Sequence, residues 1–325
     1  MKAIVCEKHG PPETLVLKDV DPPEIGPGKV RVAVHACGVN FPDTLIIENK
    51  YQFKPELPFS PGGEVAGEVT EIGEGVTDVK VGDRVIAMTG WGGFAEEVVS
   101  PAAALIPMAD GMDYVTAAGF TMTYGTSLYA LKQRGQLKKG ETLLVLGAAG
   151  GVGLAAVELG AVMGARVIAA ASTDEKLEVC KEHGASETIN YSHESIKEKT
   201  KELTGGAGAD VIYDAVGGDA FDQAIRCINW KGRLLVIGFA SGRIPELPVN
   251  LALLKGCQVV GVFWGAFTGR EPEENARNTA ELAKLYAEGK LKPHVSATYP
   301  LEKASDALYG LINREAKGKI ILTTR

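Results

Sequence analysis

The chain has 325 residues, enough for about two domains that each bury a core. Its 45% hydrophobic and 23% charged composition is that of a globular protein, and a formal net charge of −7 offers no basic surplus to nucleic acid or an anionic membrane. Five scattered cysteines, without a C-x-x-C pair, suit a reducing compartment such as the cytoplasm and argue against a disulfide framework.

The first segment, "MKAIVCEKHG", meets charge too early for a secretory signal. Residues 1–120 read as short strands: "KAIVCE", "LVLKDV", "KVRVAVHACGV", "GEVAGEVTEIG" and "DRVIAM" are β-branched or alternating, with Gly, Pro and Asp turns between them. From about 121 the texture changes. "TLLVLG" reads as a buried strand, "GVGLAAVELGAVMG" as a helix, "ARVIAAAS" as the next strand and "DEKLEVCKEHG" as a helix stopped by Gly184. "ETIN", a helix near 193–204, "ADVIYDAV", a helix near 219–229, "KGRLLVIG" and "CQVVGVFWG" continue the alternation. Strands alternating with helices imply βαβ units and a doubly wound parallel sheet. After about 265 the pattern breaks into a charged helix (271–289), a short strand, a helix (301–314) and a last strand, "GKIILT". This tail is too short for a domain and is expected to fold back onto the N-terminal part. The apolar stretch 143–165 is long enough for a membrane span, but it holds Glu158 and six glycines and runs on into "ARVIAAAS". A buried strand, loop, helix and strand explain it better, so no membrane is expected.

The loop "GAAGGVG" (147–153) follows a strand and opens a helix, the context a dinucleotide fingerprint requires. Aligned to G-x-G-x-x-G, its key positions are Ala148, Gly150 and Gly153, with alanine replacing the first glycine. Gly150 lets a pyrophosphate reach the backbone and Gly153 lets the helix pack on its strand. The amides of Ala149, Gly150, Gly151 and Val152 at the helix start then face the phosphates. An unliganded glycine-rich turn is the alternative.

A strand-end acid about 20 residues on would select NAD through the ribose 2′-hydroxyl. That position is Ser172. Asp174 and Glu175 lie close, but Ser172-x-x-Glu175 reads as a capping box. Lys176 falls one turn from Ser172, so a hydroxyl and an ammonium stand where a 2′-phosphate would be welcomed, and Tyr191 can flank it. Lys176 can otherwise be a solvated surface lysine.

Together with "GVNFPDTL" (38–45), "PGGEVAGEV" (61–69), "VGDRV" (81–85), "GGFAEEVV" (92–99), "YGTSLYAL" (124–131), "INY" (189–191) and "NREAKGKIIL" (313–322), this loop gives a chain that resembles, over essentially its whole length, the zinc-free medium-chain dehydrogenases/reductases of the NADPH:quinone oxidoreductase branch. The resemblance implies an α/β fold with a GroES-like β-rich catalytic domain at 1–122 and 265–325, and a doubly wound Rossmann domain at 123–264 that binds NADPH. It implies a homodimer joined through the strand in 255–265. It places the substrate pocket around Asn40, Asp43 and Tyr51, with Asn40 and Thr126 at the nicotinamide ribose. Gly238, Phe239, Phe263 and Trp264 would meet the nicotinamide half, and Arg314 the phosphates.

In the alcohol-dehydrogenase branch a zinc-binding Cys and His match Asn40 and Gly63. The structural-zinc cysteines also lack a counterpart, since 91–112 contains no cysteine. The five histidines (His9, His35, His183, His193, His294) never pair at ligand spacing, so no metal is expected. Without a Lewis acid, alcohol oxidation loses its main support, whereas hydride transfer to a quinone or conjugated carbonyl needs less help. The leading expectation is therefore an NADPH-dependent reductase of quinones or related small enones. Two alternatives stand beside it: a 2-enoyl thioester reductase of the enoyl- or acryloyl-CoA type, and a non-enzymatic NADPH-binding protein with a structural or RNA-associated role. Asp43 can simply cap a helix. Tyr51 can be a rim aromatic or the proton donor to a developing enolate.

Overall fold

The structure, a computed structural model, describes residues 1–324. Its strands in chain order are β1 (Lys2–Val5), β2 (Val16–Asp19), β3 (Lys29–Val39), β4 (Glu64–Ile72), β5 (Arg84–Met88), β6 (Glu97–Pro101), β7 (Leu105–Pro107), β8 (Thr142–Leu146), β9 (Arg166–Ala171), β10 (Glu187–Asn190), β11 (Ala209–Asp214), β12 (Ile228–Val236), β13 (Gln258–Gly261), β14 (Val295–Pro300) and β15 (Lys319–Thr323). The chain divides into two compact units, Met1–Thr121 with Pro293–Arg325, and Met122–Lys292.

In the first unit β3 is the axis of a sheet ordered β14-β15-β3-β4-β5-β7, with β6 also paired to β3. Its β-branched residues Val30, Val32 and Val34 are fully buried and pack with Val65, Val85, Phe94, Leu308 and Leu322. The register matters for the site. Antiparallel pairing sets Ile320 opposite Val39 and Val65 opposite Cys37, so the start of β15 and the start of β4 meet the end of β3. Asn40, Glu64 and Lys319 are gathered there by strand pairing alone.

In the second unit six parallel strands run in the order β10-β9-β8-β11-β12-β13. Strands covered on both faces must be apolar throughout. Leu144, Leu146, Ile168, Ile189, Ile212 and Leu234 accordingly form a fully buried cluster. The order reverses at β8, whose carboxyl end carries the glycine loop, and ligands of such sheets bind at that reversal.

Three expectations need correcting. The segment 265–292, assigned above to the N-terminal domain, clusters with the second unit, and only 293–325 returns to the first. Polar side chains tie it there: in the helix Pro272–Ala287, Glu281 accepts from Lys132 Nζ at 2.6 Å and Asn278 Oδ1 from Gln133 Nε2 at 2.9 Å. The helix expected over 219–229 ends at Ala224, because the parallel pairing of β12 with β11 already claims Ile228. The last strand stops at Gly261, and Trp264–Arg270 is helical, its Trp264 ring lying against Gly125, where a Cβ would come within 2.8 Å of it.

Candidate active and cofactor sites

In the first unit Asn40 follows β3 and Asp43 is the third residue of the helix Phe41–Ile46. Asp43 reaches back to the helix start. Its Oδ2 accepts from the Asn40 backbone N–H at 2.7 Å and its Oδ1 from the Gly62 N–H at 3.2 Å. The N-cap is therefore Asn40 and not Asp43, whose carboxylate closes the helix start from the third position and also clamps the Gly62–Gly63 turn. Burial pushes its carboxyl up to about 6, against the pull of those amides and of Lys319. Tyr51 is half-buried, packed on the core cluster and edge-on to Phe53 with ring centroids 5.8 Å apart. Its phenol is pushed up by burial and then by the Asp43 charge, so the two residues belong to one neighbourhood. Burial, with Asp43 and Glu64 behind it, drives the fully buried Cys37 thiol well above its usual range and makes it inert.

Two charged side chains in this site escaped the sequence analysis. Glu64 is fully buried and Lys319 nearly so. Lys319 Nζ donates to Asn40 Oδ1 at 2.7 Å, to Val39 O at 3.2 Å and to Glu64 Oε2 at 3.4 Å. The only signal for them was a charge opening a strand, in "GKIILT" and "GEVAGEV". Among the described residues no three His, Cys, Asp or Glu side chains gather closely enough to hold a metal ion.

In the second unit the left-handed turn after β8 is made at Gly147 (φ +67°), one position ahead of the fingerprint slot. Ala148 therefore costs nothing where a first glycine was expected. Gly150 caps the helix Gly151–Val162, and its N–H is engaged by Gly147 O at 3.0 Å. This leaves Gly151, Val152 and Gly153 as the first-turn amides, which have no partner four residues back. A Cβ at Gly153 would lie 2.2 Å from Gly147 O, so glycine is required for helix and strand to approach. At Gly150 the same atom would sit at 3.4 Å, so close packing does not account for that glycine.

At the end of β9, Lys176 Nζ donates to Ser172 Oγ at 3.4 Å, and Ser192 Oγ to Ser172 O at 2.7 Å. The Tyr191 N–H bonds Ala171 O at 3.1 Å, which sets the Tyr191 backbone beside the end of β9. The capping box does not form. Thr173 is the cap, accepting from Lys176 N at 3.3 Å, and this leaves Ser172 one residue outside the helix. Gly238 and Phe239 follow β12. Phe263 is exposed, whereas Trp264 is buried with its Nε1 unpartnered among the described residues. Thr126 lies half-buried in the helix Thr121–Leu128, beside Gly125. Arg314, in the first unit, is exposed and left-handed at φ +59°.

Two family models match the chain, the alcohol dehydrogenase GroES-like domain over residues 26–110 and the zinc-binding dehydrogenase domain over 151–283. The quinone oxidoreductase-like protein 2 homolog of Nematostella vectensis is 45% identical over all of this chain and 89% of its own length. The Escherichia coli quinone oxidoreductase, solved in complex with NADPH, superimposes with a TM-score of 0.94 at 30% identity, covering 99% of this chain and all of that one. A 2-haloacrylate reductase superimposes at 0.85 with 32% identity, both chains being covered in full.

Proposed function

Because the chain belongs to the quinone oxidoreductase family of the medium-chain dehydrogenases/reductases, we propose that this oxidoreductase uses NADPH to reduce a quinone or related conjugated carbonyl by direct hydride transfer, without a metal ion. The observation that carries the cofactor choice is the Ser172–Lys176 pair at the end of β9, with the neighbouring carboxylate of Asp174 bonded to Asn190 Nδ2 at 2.6 Å. An ammonium and a hydroxyl suit a 2′-phosphate. Bound NADPH would supply the hydride. Ser172, Lys176 and Tyr191 would hold its 2′-phosphate. The amides of Ala149, Gly150, Gly151 and Val152 were the expected pyrophosphate donors; the geometry favours the last two, with Gly150 leaving room for the approach. Arg314 would add positive charge to the phosphates. Thr126, Gly238, Phe239, Phe263 and Trp264 would position the nicotinamide half, with Asn40 at its ribose. Tyr51 would line the acceptor pocket and Asp43 would hold its wall rather than touch substrate.

The donor set supports the metal-free reading, because an amide and a glycine stand at the positions matching zinc ligands in relatives. A homodimer is part of the proposal. Strand β13 is an open sheet edge, and near it Leu253, Val249 and Trp230 are 80%, 74% and 64% exposed, an apolar surface that a two-fold mate would cover. All five cysteines are free, which suits a reducing compartment such as the cytoplasm. Among the described residues no helix is long and apolar enough to cross a membrane.

The test is NADPH consumption with EDTA present, against a panel of benzoquinones, naphthoquinones, enones and enoyl thioesters. Turnover of quinones above the thioesters is expected. Preference for thioesters would replace the quinone reading with the enoyl reductase one, and binding of NADPH without consumption by any acceptor would overturn both.

A further inference from the structure

Glu64 and Lys319 are 0% and 6% exposed, and neither has a role in the reading above. Apolar side chains of similar volume would usually serve stability as well as a buried ion pair does. Yet the fold makes room for this one. A Cβ on Gly38 would lie 2.1 Å from Ala118 O, 3.0 Å from Glu64 Oε2 and 3.1 Å from Lys319 Nζ, and one on Gly119 would lie 3.1 Å from Lys319 Cγ. The pair sits against Asn40, whose side chain it holds from both ends.

The bonds around Asn40 can be counted. An ammonium has three donors and no acceptor. Those of Lys319 go to Asn40 Oδ1, Val39 O and Glu64 Oε2. The amide nitrogen of Asn40 has two hydrogens, which meet Gly38 O at 3.1 Å and Glu64 Oε2 at 3.2 Å. Turning the amide over would set its NH₂ against the ammonium and its oxygen against a carboxylate and a carbonyl, so all three contacts of the amide would turn repulsive. The carbonyl oxygen takes the hydrogen bond of Lys319, and the Asp43 N–H that approaches it in the capping box is bonded to the Asn40 backbone oxygen at 2.9 Å, so one lone pair remains.

We infer that Lys319, anchored by Glu64, is a positioning residue that locks the Asn40 amide so that it offers a ligand only a hydrogen-bond acceptor. Asn40 then selects a ligand hydroxyl and refuses a carbonyl or phosphate oxygen. This rests on the proposed reading in which Asn40 meets the ribose of the nicotinamide half. That ribose carries hydroxyl donors at the place where a locked acceptor is of use.

The test compares the wild type with the charge-neutral double variant Lys319→Met/Glu64→Gln, which avoids leaving a lone buried charge. Calorimetry reads the Kd of NADPH and that of 2′,5′-ADP, which lacks the nicotinamide half, and thermal unfolding reports the fold. The double variant is expected to bind NADPH about tenfold more weakly, the worth of one hydrogen bond, with its 2′,5′-ADP affinity unchanged. An unchanged NADPH Kd, or an equal weakening for both ligands, would overturn the inference. The wild type gives a second reading that needs no variant: a dideoxy NADPH lacking both nicotinamide-ribose hydroxyls should bind at least about tenfold more weakly than NADPH. Equal binding there would overturn it too. Failure of the wild type to bind NADPH at all would instead overturn the proposed function, whereas normal binding with an indifferent double variant removes the role of Lys319 alone.

Discussion

Asp174 accepts a hydrogen bond from Asn190 Nδ2 at 2.6 Å, beside the end of β9 where Lys176 Nζ donates to Ser172 Oγ at 3.4 Å. In a NAD enzyme an acid in this region would bond the ribose 2′-hydroxyl. Here it is occupied in joining the helix Asp174–Glu182 to the end of β10. Lys176→Glu should therefore raise the Kd for NADPH by about 10- to 100-fold, the worth of a charged hydrogen bond and the repulsion replacing it, while NADH binding changes little. Titration with both cofactors checks this. Equal losses for the two would show that Lys176 does not read the 2′-phosphate.

The glycine loop separates folding from binding at two positions. Gly153→Ala would set a methyl 2.2 Å from Gly147 O, backbone that cannot swing aside, and should lower Tm by several degrees. Gly150 has φ −77° and room for a Cβ at 3.4 Å, so Gly150→Ala should leave Tm unchanged or slightly raised. Its methyl would stand in the phosphate approach, and NADPH affinity should fall by about tenfold or more. Unchanged affinity in the Gly150 variant would move the pyrophosphate elsewhere.

Asp43 gives the fold a pH dependence of definite sign. Its carboxyl titrates at about 6 in the folded chain against an ordinary 3.8, chiefly because it is buried. The folded chain binds this proton more tightly than the unfolded one. The resulting stabilisation is complete below pH 4 and is lost as pH rises through 6. The difference corresponds to about 3 kcal/mol. In urea unfolding from pH 4 to 7, the stability of the wild type relative to Asp43→Asn should fall by that order. Parallel curves would show that Asp43 does not titrate in this window.

Much of this was legible in the sequence for a physical reason. Parallel strands buried on both faces are apolar runs, and βαβ units announce themselves between glycine turns, so β8 to β11 and the helix Gly151–Val162 were found nearly to the residue, whereas β12 starts and β13 ends earlier than expected. The contact between Ser172 and Lys176 was legible because one helical turn fixes their side. The one-residue misplacement of the cap, Thr173 for Ser172, is the usual imprecision of a helix start. The link from Lys319 to Glu64 was not legible. The two residues are 255 positions apart and meet only through the register of β15 and β4 on β3. The return of the chain at 293 rather than 265 was hidden likewise, because side-chain bonds from Lys132 and Gln133 hold the helix Pro272–Ala287 to the second unit.

The edge of β13 predicts the oligomeric state. Light scattering should give about twice the 34.3 kDa chain mass at micromolar concentration. Val259, about one-third exposed on that edge, should tolerate lysine in a lone chain but not against a mate. Val259→Lys/Leu253→Lys should thus shift the population toward monomer with its far-UV spectrum intact. A monomeric wild type would remove the dimer.

Tyr51 separates the two enzymatic readings. Burial and the Asp43 charge raise its phenol, so it stays protonated at neutral pH and is able to donate. A quinone does not need that proton from the protein, because its reduced oxygens take protons from water. Catalysis then rests on holding the nicotinamide and the acceptor in line. An enone or enoyl thioester differs, since its α-carbon must be protonated after the hydride arrives. Tyr51→Phe keeps the ring that packs against Phe53 and removes only the hydroxyl. With a quinone, kcat/KM should fall by about tenfold or less. With an enoyl substrate it should fall by about 10²-fold or more, the worth of a positioned general acid. Both must be measured on the same preparation with NADPH affinity as the control. Loss of quinone reduction with NADPH binding intact would show that the phenol acts in the hydride step itself, and direct transfer aided only by positioning would have to be abandoned.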